Sequence, residues 1–241
     1  MEEMKGYRTY VKGLDEEIEG GIPQGHVILI AGPPGTMKSS LAYSILYHNA
    51  AQKKVRSMYF TLEQSRRSLE FQMSRLSMDP KLVMDSLRVQ DLSRIRKGID
   101  EVRGRPRFGR ETERPWLEVM KKILEDLKET ENFELLAVDS LPILEIISRL
   151  KDRRIQLFHF FEWLRDLDLT TIIITETSPQ IGEVHDEDFL ADGVIHVLME
   201  KVGDIDVYRR IRIVKLRGVN HNTGFFTLEY KQGRFQVSQV I

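Results

Sequence analysis

The chain has 241 residues, 41% of them apolar and 30% charged, a composition typical of a globular protein with a buried core. The formal net charge of −1 lacks the overall basic character of nucleic-acid-binding proteins, although a local basic groove or loop stays compatible with it. The absence of cysteine excludes disulfides and thiolate metal sites. The first residues are too polar for a signal peptide, and no apolar run approaches the ~20 residues of a membrane span, so we expect a cytoplasmic protein.

Apolar runs bounded by turn residues alternate with segments of helical periodicity, a pattern typical of βαβ units and a parallel sheet. It predicts strands at 26–32, 55–63, 87–92, 134–140, 170–176 and 193–200, and helices at 38–50, 64–77, 113–128 and 155–167. Beyond residue 206, strand-like segments separated by short turns predict an antiparallel extension. We therefore expect one α/β domain over residues 1–241, with a mostly parallel central sheet flanked by helices and a C-terminal antiparallel extension.

Two segments leave alternatives open. The helix at 155–167 is apolar on nearly every face, so it is covered either by the core alone or by the core and a neighbouring subunit. The segment 94–114 carries eight basic residues: Arg94, Arg96, Lys97, Arg103, Arg105, Arg107, Arg110 and Arg114. A solvated surface loop accounts for such a segment, and a loop facing a protein partner, nucleic acid or substrate is the alternative.

A glycine-rich segment between a predicted strand and a predicted helix matches the phosphate-binding P-loop. Its residues are Gly32, Pro33, Pro34, Gly35, Thr36, Met37, Lys38, Ser39 and Ser40. Such a loop aims successive backbone N–H groups at a triphosphate, and the positive end of the following helix adds to the attraction. Lys38 is expected to lie between the β- and γ-phosphates, and the Ser39 hydroxyl to bind Mg²⁺. The motif predicts ATP and Mg²⁺ as ligands.

Met37 departs from the usual motif, which has a glycine before the lysine. This position lies close to the phosphates, so the Met37 side chain must either point away from the nucleotide or constrain the loop. The departure argues against fast turnover more than against binding.

Two carboxylates end predicted strands on the same edge of the sheet as this loop. Asp139 closes the strand 134–140 and is expected to hold Mg²⁺. Glu63 ends the second strand, where a carboxylate can orient and deprotonate the water that attacks the γ-phosphate. The alternative role for Glu63 is to cap the following helix.

The segment GLDEEIEGGIPQGHVILIAGPPGTMKSSLA, with TLEQ, LLAVDS, TTIIITET, EDFLADGVIHVLME and KLRGVNHNTGFFTLEY after it, resembles the KaiC-type ATPases of the RecA superfamily. The resemblance extends from about Gly13 to Phe235. It implies a RecA-like P-loop NTPase fold and a ring of identical subunits, hexameric or filamentous, with ATP between neighbours. It also implies that Lys215 and Arg217 reach the adjacent subunit's nucleotide; an ordinary solvated strand edge is the alternative. The family often has a second acid after Glu63, where this chain has Gln64, so slow hydrolysis is expected.

Three functions fit these observations. The first is a slow ATPase switch whose ring state is read by an unknown protein partner. The second is a DNA-acting recombination or repair ATPase, which the near-zero net charge disfavours. The third is a nucleotide-binding scaffold without turnover, suggested by Met37 and Gln64.

Overall fold

The computed structural model describes residues 6–93, 116–176 and 186–240, so the basic segment predicted at 94–114 lies outside them. Among the described residues the strands are β1 (Gly6–Tyr7), β2 (Ile22–Pro23), β3 (Val27–Ala31), β4 (Ser57–Thr61), β5 (Leu87–Asp91), β6 (Leu135–Asp139), β7 (Thr170–Thr175), β8 (Gly193–Val202), β9 (Asp206–Leu216), β10 (Phe225–Lys231) and β11 (Arg234–Gln239). The α-helices there are α1 (Lys38–Lys53), α2 (Arg66–Arg75), α3 (Trp116–Glu131), α4 (Leu141–Ser148), α5 (Arg153–Asp166) and α6 (Asp186–Leu190).

One nine-stranded sheet organises the molecule, in the order β11-β10-β9-β8-β3-β7-β6-β4-β5. The six strands from β8 to β5 run parallel to their neighbours, whereas β9, β10 and β11 add on as antiparallel strands. The predicted parallel sheet with a C-terminal antiparallel extension is therefore confirmed. Because the parallel strands share one direction, the segments that follow β3, β4, β6 and β7 emerge at the same edge.

Two apolar layers cover the two faces of the sheet. One contains α1 and α2 and receives alternate strand residues such as Ile28, Ile30 and Tyr59. The other contains α3, α4 and α5 and receives the residues between them, such as Leu29 and Phe60. Strands buried on both faces read as continuous apolar runs, which is why the sequence reveals them so clearly.

The apolar helix α5 buries Leu157, Phe160, Phe161 and Leu164 against the sheet. Its other side leaves two apolar side chains about half exposed: Ile155 is 54% and Phe158 is 44% exposed. Within the described ranges, the core therefore covers only one side of this helix.

Candidate functional site

The glycine-rich loop joins the end of β3 to the start of α1 at the edge where the parallel strands end. Within the loop, the Thr36 hydroxyl and the Lys38 ammonium both donate to the Pro33 carbonyl oxygen, each at 2.9 Å. A Cβ atom at Gly32 would lie 1.9 Å from the Val197 carbonyl oxygen of β8, so only glycine lets the loop leave the sheet this closely. The loop thus closes on itself, with the lysine folded back over it.

Met37 adopts the left-handed conformation that glycine usually supplies in such loops, with φ 68° and ψ 27°. It is the N-cap residue of α1, and its carbonyl oxygen accepts from the Leu41 N–H at 2.9 Å. Its side chain is half-buried and packs against the apolar layer beneath α1. Met37 also belongs to the lining of the cleft, so its contact with the apolar layer does not remove the residue from the phosphate-binding side.

Lys38 is buried and faces three carboxylates. Burial lowers the pKa of its ammonium, and the attraction of Glu176, Asp139 and Glu63 opposes that shift. A lysine attracted by several acids but pointing at a backbone carbonyl is well placed to exchange that carbonyl for a phosphate oxygen.

Asp139, at the end of β6, is buried beside Ser39, the second residue of α1. The Tyr59 hydroxyl donates to Asp139 Oδ2 at 2.6 Å, and Ser39 also hydrogen-bonds to this carboxylate. Burial raises the pKa of Asp139, whereas the hydrogen bonds from Tyr59 and Ser39 act to lower it. Adjacent hydroxyl and carboxylate oxygens are the hard ligands that Mg²⁺ prefers, so these residues fit the predicted ion.

In the described part of the chain, no cluster of three or more acidic or histidine side chains could enclose a metal. Mg²⁺ is commonly held by one or two protein oxygens together with phosphates and water. Ser39 and Asp139 are therefore sufficient protein ligands for an ion that arrives with a nucleotide.

Glu63 lies two residues beyond the end of β4, exposed at the same edge. Its carboxylate accepts a hydrogen bond from the Ser140 hydroxyl, which follows Asp139 on the neighbouring strand. The N-cap of α2 is Ser65, whose side chain accepts from the Ser68 N–H at 3.3 Å. The capping role considered for Glu63 is thus filled by another residue, and its carboxylate faces the cleft.

These groups line one cleft of about 650 Å³. Seven of the predicted nucleotide-binding residues line it, namely Pro34, Gly35, Thr36, Met37, Lys38, Ser39 and Ser40, and so do Glu63 and Asp139. Gly32 and Pro33 instead form the base of the loop through the contacts described above.

The opposite wall of the cleft was not predicted from the sequence. It is formed by side chains of α2, among them Phe71 and Arg75, and by Glu176, which directly follows β7. Phe71 is 68% exposed, unusual for an aromatic side chain on a helix that packs on the core. Glu176 carried a usable signal, because it ends a predicted strand at the same edge as Asp139.

Lys215 and Arg217 lie near the amino-terminal ends of the parallel strands, opposite the ends from which the P-loop emerges. Leu216 pairs with Gly193, and Gly193 pairs with Ile28 at the amino-terminal end of β3. The P-loop begins four residues further along β3, about 13 Å at the rise of a β-strand. Among the described residues these two cations are not part of the cleft wall. They cannot serve their own subunit's P-loop from this position.

Comparison with known proteins accords with this geometry. The family model "ATPase: KaiC" matches residues 7–239. The chain is 30% identical to the circadian clock oscillator protein KaiC of Picosynechococcus sp. over 90% of its own length, but it spans only 41% of that protein. A UPF0273 protein of Methanocaldococcus jannaschii is 24% identical, with 91% of this chain and 90% of that protein covered.

The fold is also that of a solved structure. The crystal structure of a KaiC-like protein from the hyperthermophilic archaeon Pyrococcus horikoshii superposes with a TM-score of 0.80 at 22% identity, over 98% of this chain and 100% of that one. This likeness confirms the predicted RecA-like fold. Since the family model covers nearly the whole sequence, the chain belongs to the KaiC family of ATPases.

Proposed function

We propose that this chain binds Mg-ATP in the cleft above the P-loop and hydrolyses it slowly, as an oligomeric switch whose site is shared between subunits. The observation that carries the proposal is the convergence of Lys38, Ser39, Asp139 and Glu63 in one cleft. These four residues come from three different segments, and chance would not bring a buried lysine, a hydroxyl and two carboxylates together in one cleft.

Each residue has a distinct task. Lys38 leaves the Pro33 carbonyl and neutralises the β- and γ-phosphates. Ser39 and Asp139 would hold Mg²⁺, which would supply charge neutralisation at the phosphate oxygens. Glu63, held by the Ser140 hydroxyl, orients the attacking water and accepts its proton. Glu63 is exposed at the cleft mouth, where solvent water reaches it.

Slow turnover follows from Gln64. Its side-chain oxygen accepts from the Ser68 hydroxyl at 3.3 Å, and a neutral amide cannot take a proton from water at neutral pH. Glu63 is left as the base from this segment. A non-hydrolysing nucleotide-binding scaffold is the second candidate, favoured by the same residue.

An oligomer with shared sites is supported by two features. Lys215 and Arg217 lie too far from their own P-loop to act there, yet cations at that edge can serve a neighbour in a head-to-tail ring. Apolar side chains are exposed on three neighbouring helices: Ile146, Ile155, Phe158 and Phe189. Arg153 ties these helices together through ion pairs of 2.9 Å each to Glu145 and Glu187. We propose a homo-oligomeric ring, hexameric as in the resemblance, built from one ATPase domain over residues 1–241.

The proposed location is the cytoplasm, and the proposed reader of the ring state is another protein. No helix in the described ranges has the length and apolar character needed to cross a bilayer. The formal net charge of −1 disfavours DNA binding, so a DNA-acting ATPase is not our preferred function.

The test measures ATP turnover and native mass by light scattering, with and without Mg-ATP. We expect turnover and a ring-sized particle; Glu63→Gln should lower kcat by about 10²–10⁴-fold with unchanged ATP affinity. Lys38→Ala should lose binding, and Glu118→Gln, an exposed carboxylate on α3, is the matched control. Tight binding without turnover would select the scaffold. ATP-dependent, salt-sensitive binding to single-stranded DNA would select the DNA-acting alternative.

A further inference from the structure

A buried tyrosine lies behind the two residues that fit Mg²⁺. Tyr59 is fully buried in the middle of β4, and it is not among the described residues that line the cleft. Its hydroxyl donates to Asp139 Oδ2 at 2.6 Å, and the Ser39 hydroxyl hydrogen-bonds with both Tyr59 and Asp139. One phenol oxygen therefore contacts both candidate metal ligands from the side away from the nucleotide.

The register of the sheet brings this hydroxyl to the aspartate. Tyr59 on β4 pairs with Ala137 on β6, and Thr61 pairs with Asp139. Because alternate residues of a strand project to the same face, Tyr59 and Asp139 share a face and are offset by two residues. Such diagonal neighbours are within reach of an aromatic side chain. The small side chain of Ala137, directly opposite the tyrosine, leaves the ring space to lean toward the end of β6.

Helix α1 fixes the ring of Tyr59 by packing. Tyr43 lies four residues after Ser39, so both side chains project from the same face of α1. The rings of Tyr43 and Tyr59 pack with their centroids 5.7 Å apart, at an interplanar angle of 56°. The ring is held by apolar contacts and its oxygen by two polar partners, so the fold determines where the hydroxyl lies.

We propose that Tyr59 is a positioning residue for Mg²⁺, whose hydroxyl orients the Asp139 carboxylate and the Ser39 hydroxyl before the nucleotide and its ion bind. This inference rests on the proposed function and deepens it, since it assigns the group that orients the two metal ligands. Because Oδ2 of Asp139 accepts from Tyr59, we assign Oδ1 to the ion or to one of its waters. Groups that hydrogen-bond a metal ligand typically contribute about 10–100-fold to metal affinity.

The test measures how the affinity for a non-hydrolysable ATP analogue depends on Mg²⁺ concentration, by calorimetric titration. Tyr59→Phe removes the hydroxyl and retains the ring that packs on Tyr43. We expect the Mg²⁺ concentration that gives half of the maximal effect to rise by about 10-fold or more, with the affinity measured without Mg²⁺ unchanged within about twofold. With ATP, kcat should fall at limiting Mg²⁺ and recover at saturating Mg²⁺.

Tyr7→Phe is the matched control, because the Tyr7 hydroxyl also donates to a carboxylate, Glu134 Oε2, at 3.1 Å. Glu134 precedes β6, at the end of that strand opposite to Asp139. This variant should keep the Mg²⁺ dependence of the wild-type protein. An equal change in both variants would overturn the inference. So would a half-maximal Mg²⁺ concentration in Tyr59→Phe within twofold of the wild-type value, or an equal loss of the affinity measured without Mg²⁺.

A second measurement serves if Tyr59→Phe is less stable than the wild-type protein. The rise in Tm that Mg²⁺ adds to the effect of the nucleotide alone is a difference within one variant, so a lower starting Tm does not mimic it. We expect a smaller rise in Tyr59→Phe than in the wild-type protein at the same limiting Mg²⁺ concentration. An equal rise in the two proteins would contradict the role of Tyr59.

Asp139→Asn separates this inference from the proposed function. Loss of the Mg²⁺ effect in Asp139→Asn together with an unchanged effect in Tyr59→Phe rejects only the role of Tyr59. Binding that does not respond to Mg²⁺ in the wild-type protein, or that survives Lys38→Ala, rejects the proposed function itself.

Discussion

Replacing Met37 by glycine and by alanine separates its backbone from its side chain. The left-handed conformation costs an L-residue about 1–2 kcal/mol, and glycine avoids that cost. Both substitutions remove the half-buried side chain from the layer beneath α1, which costs about 2 kcal/mol for a methionine. Glycine also loses about 0.5–1 kcal/mol to the entropy of the unfolded chain. We therefore expect Met37→Gly to be more stable than Met37→Ala by about 0.5–1 kcal/mol.

Urea unfolding of the nucleotide-free protein measures this difference as a change in midpoint at constant slope. The expected order of stability is the reverse of that inside a helix, where glycine is about 1 kcal/mol less stable than alanine. Ala42→Gly, in the buried interior of α1, provides that ordinary case as a control. If Met37→Ala proves the more stable of the two, the loop backbone is not left-handed at this residue, and our account of the loop is wrong.

Two further substitutions test the loop and the metal ligand. Gly32→Ala would place a methyl group 1.9 Å from the Val197 carbonyl oxygen and should cost about 3 kcal/mol or prevent folding, measured by thermal unfolding. Gly203→Ala, where a Cβ atom meets nothing within 4 Å, should cost only about 1 kcal/mol for its positive φ. Asp139→Asn should lower Mg-dependent kcat by about 10²-fold or more, because a charged ligand is lost. Burial raises the pKa of Asp139 above its unfolded value, so the charged form destabilises the fold. At pH values above the folded-state pKa of Asp139, the Asp139→Asn variant should therefore be more stable than the wild-type protein. This difference in the free energy of unfolding should disappear as the pH falls below the unfolded-state pKa of Asp139; a difference that grows toward acid pH would contradict this account.

The sequence predicted the central strands well, and it placed the glycine-rich loop correctly between a strand and a helix, because local signals agree there. Each parallel strand is an apolar run bounded by turn residues, and the loop lies between a strand and a helix. Helix α4 was missed, since its segment LPILEIIS is too apolar and too short to show a helical period. Its first turn contains Pro142, which is compatible with a helix start but is equally common in turns.

The α2 wall of the cleft could not be predicted from local patterns. Phe71 and Arg75 line it only because α2 packs back toward the P-loop, and that direction depends on the whole sheet. The different environments of Lys215 and Arg217 are likewise set at long range, by carbonyls and carboxylates more than 20 residues away in sequence. Both side chains meet the Phe189 carbonyl oxygen, as their spacing of two residues allows, because alternate residues of a strand project from one face. The spacing could not show that three backbone carbonyl oxygens accept hydrogen bonds from the Lys215 ammonium.

The charge of the cleft favours a cation from outside the chain. Among the residues that the structure describes, the charged groups lining it are the cations Lys38 and Arg75 and the carboxylates Glu63, Asp139 and Glu176, so acids outnumber bases there. A nucleotide triphosphate adds several negative charges, and one Mg²⁺ offsets only part of them. In a cleft of low dielectric this imbalance opposes further charge on the γ-phosphate during transfer. A guanidinium such as Arg217, half-exposed and ion-paired with Asp192, is suited to correct the balance when a neighbouring subunit brings it to the cleft. In the proposed shared site, the same imbalance would make hydrolysis depend on assembly, since an isolated subunit would lack a cation supplied by its neighbour.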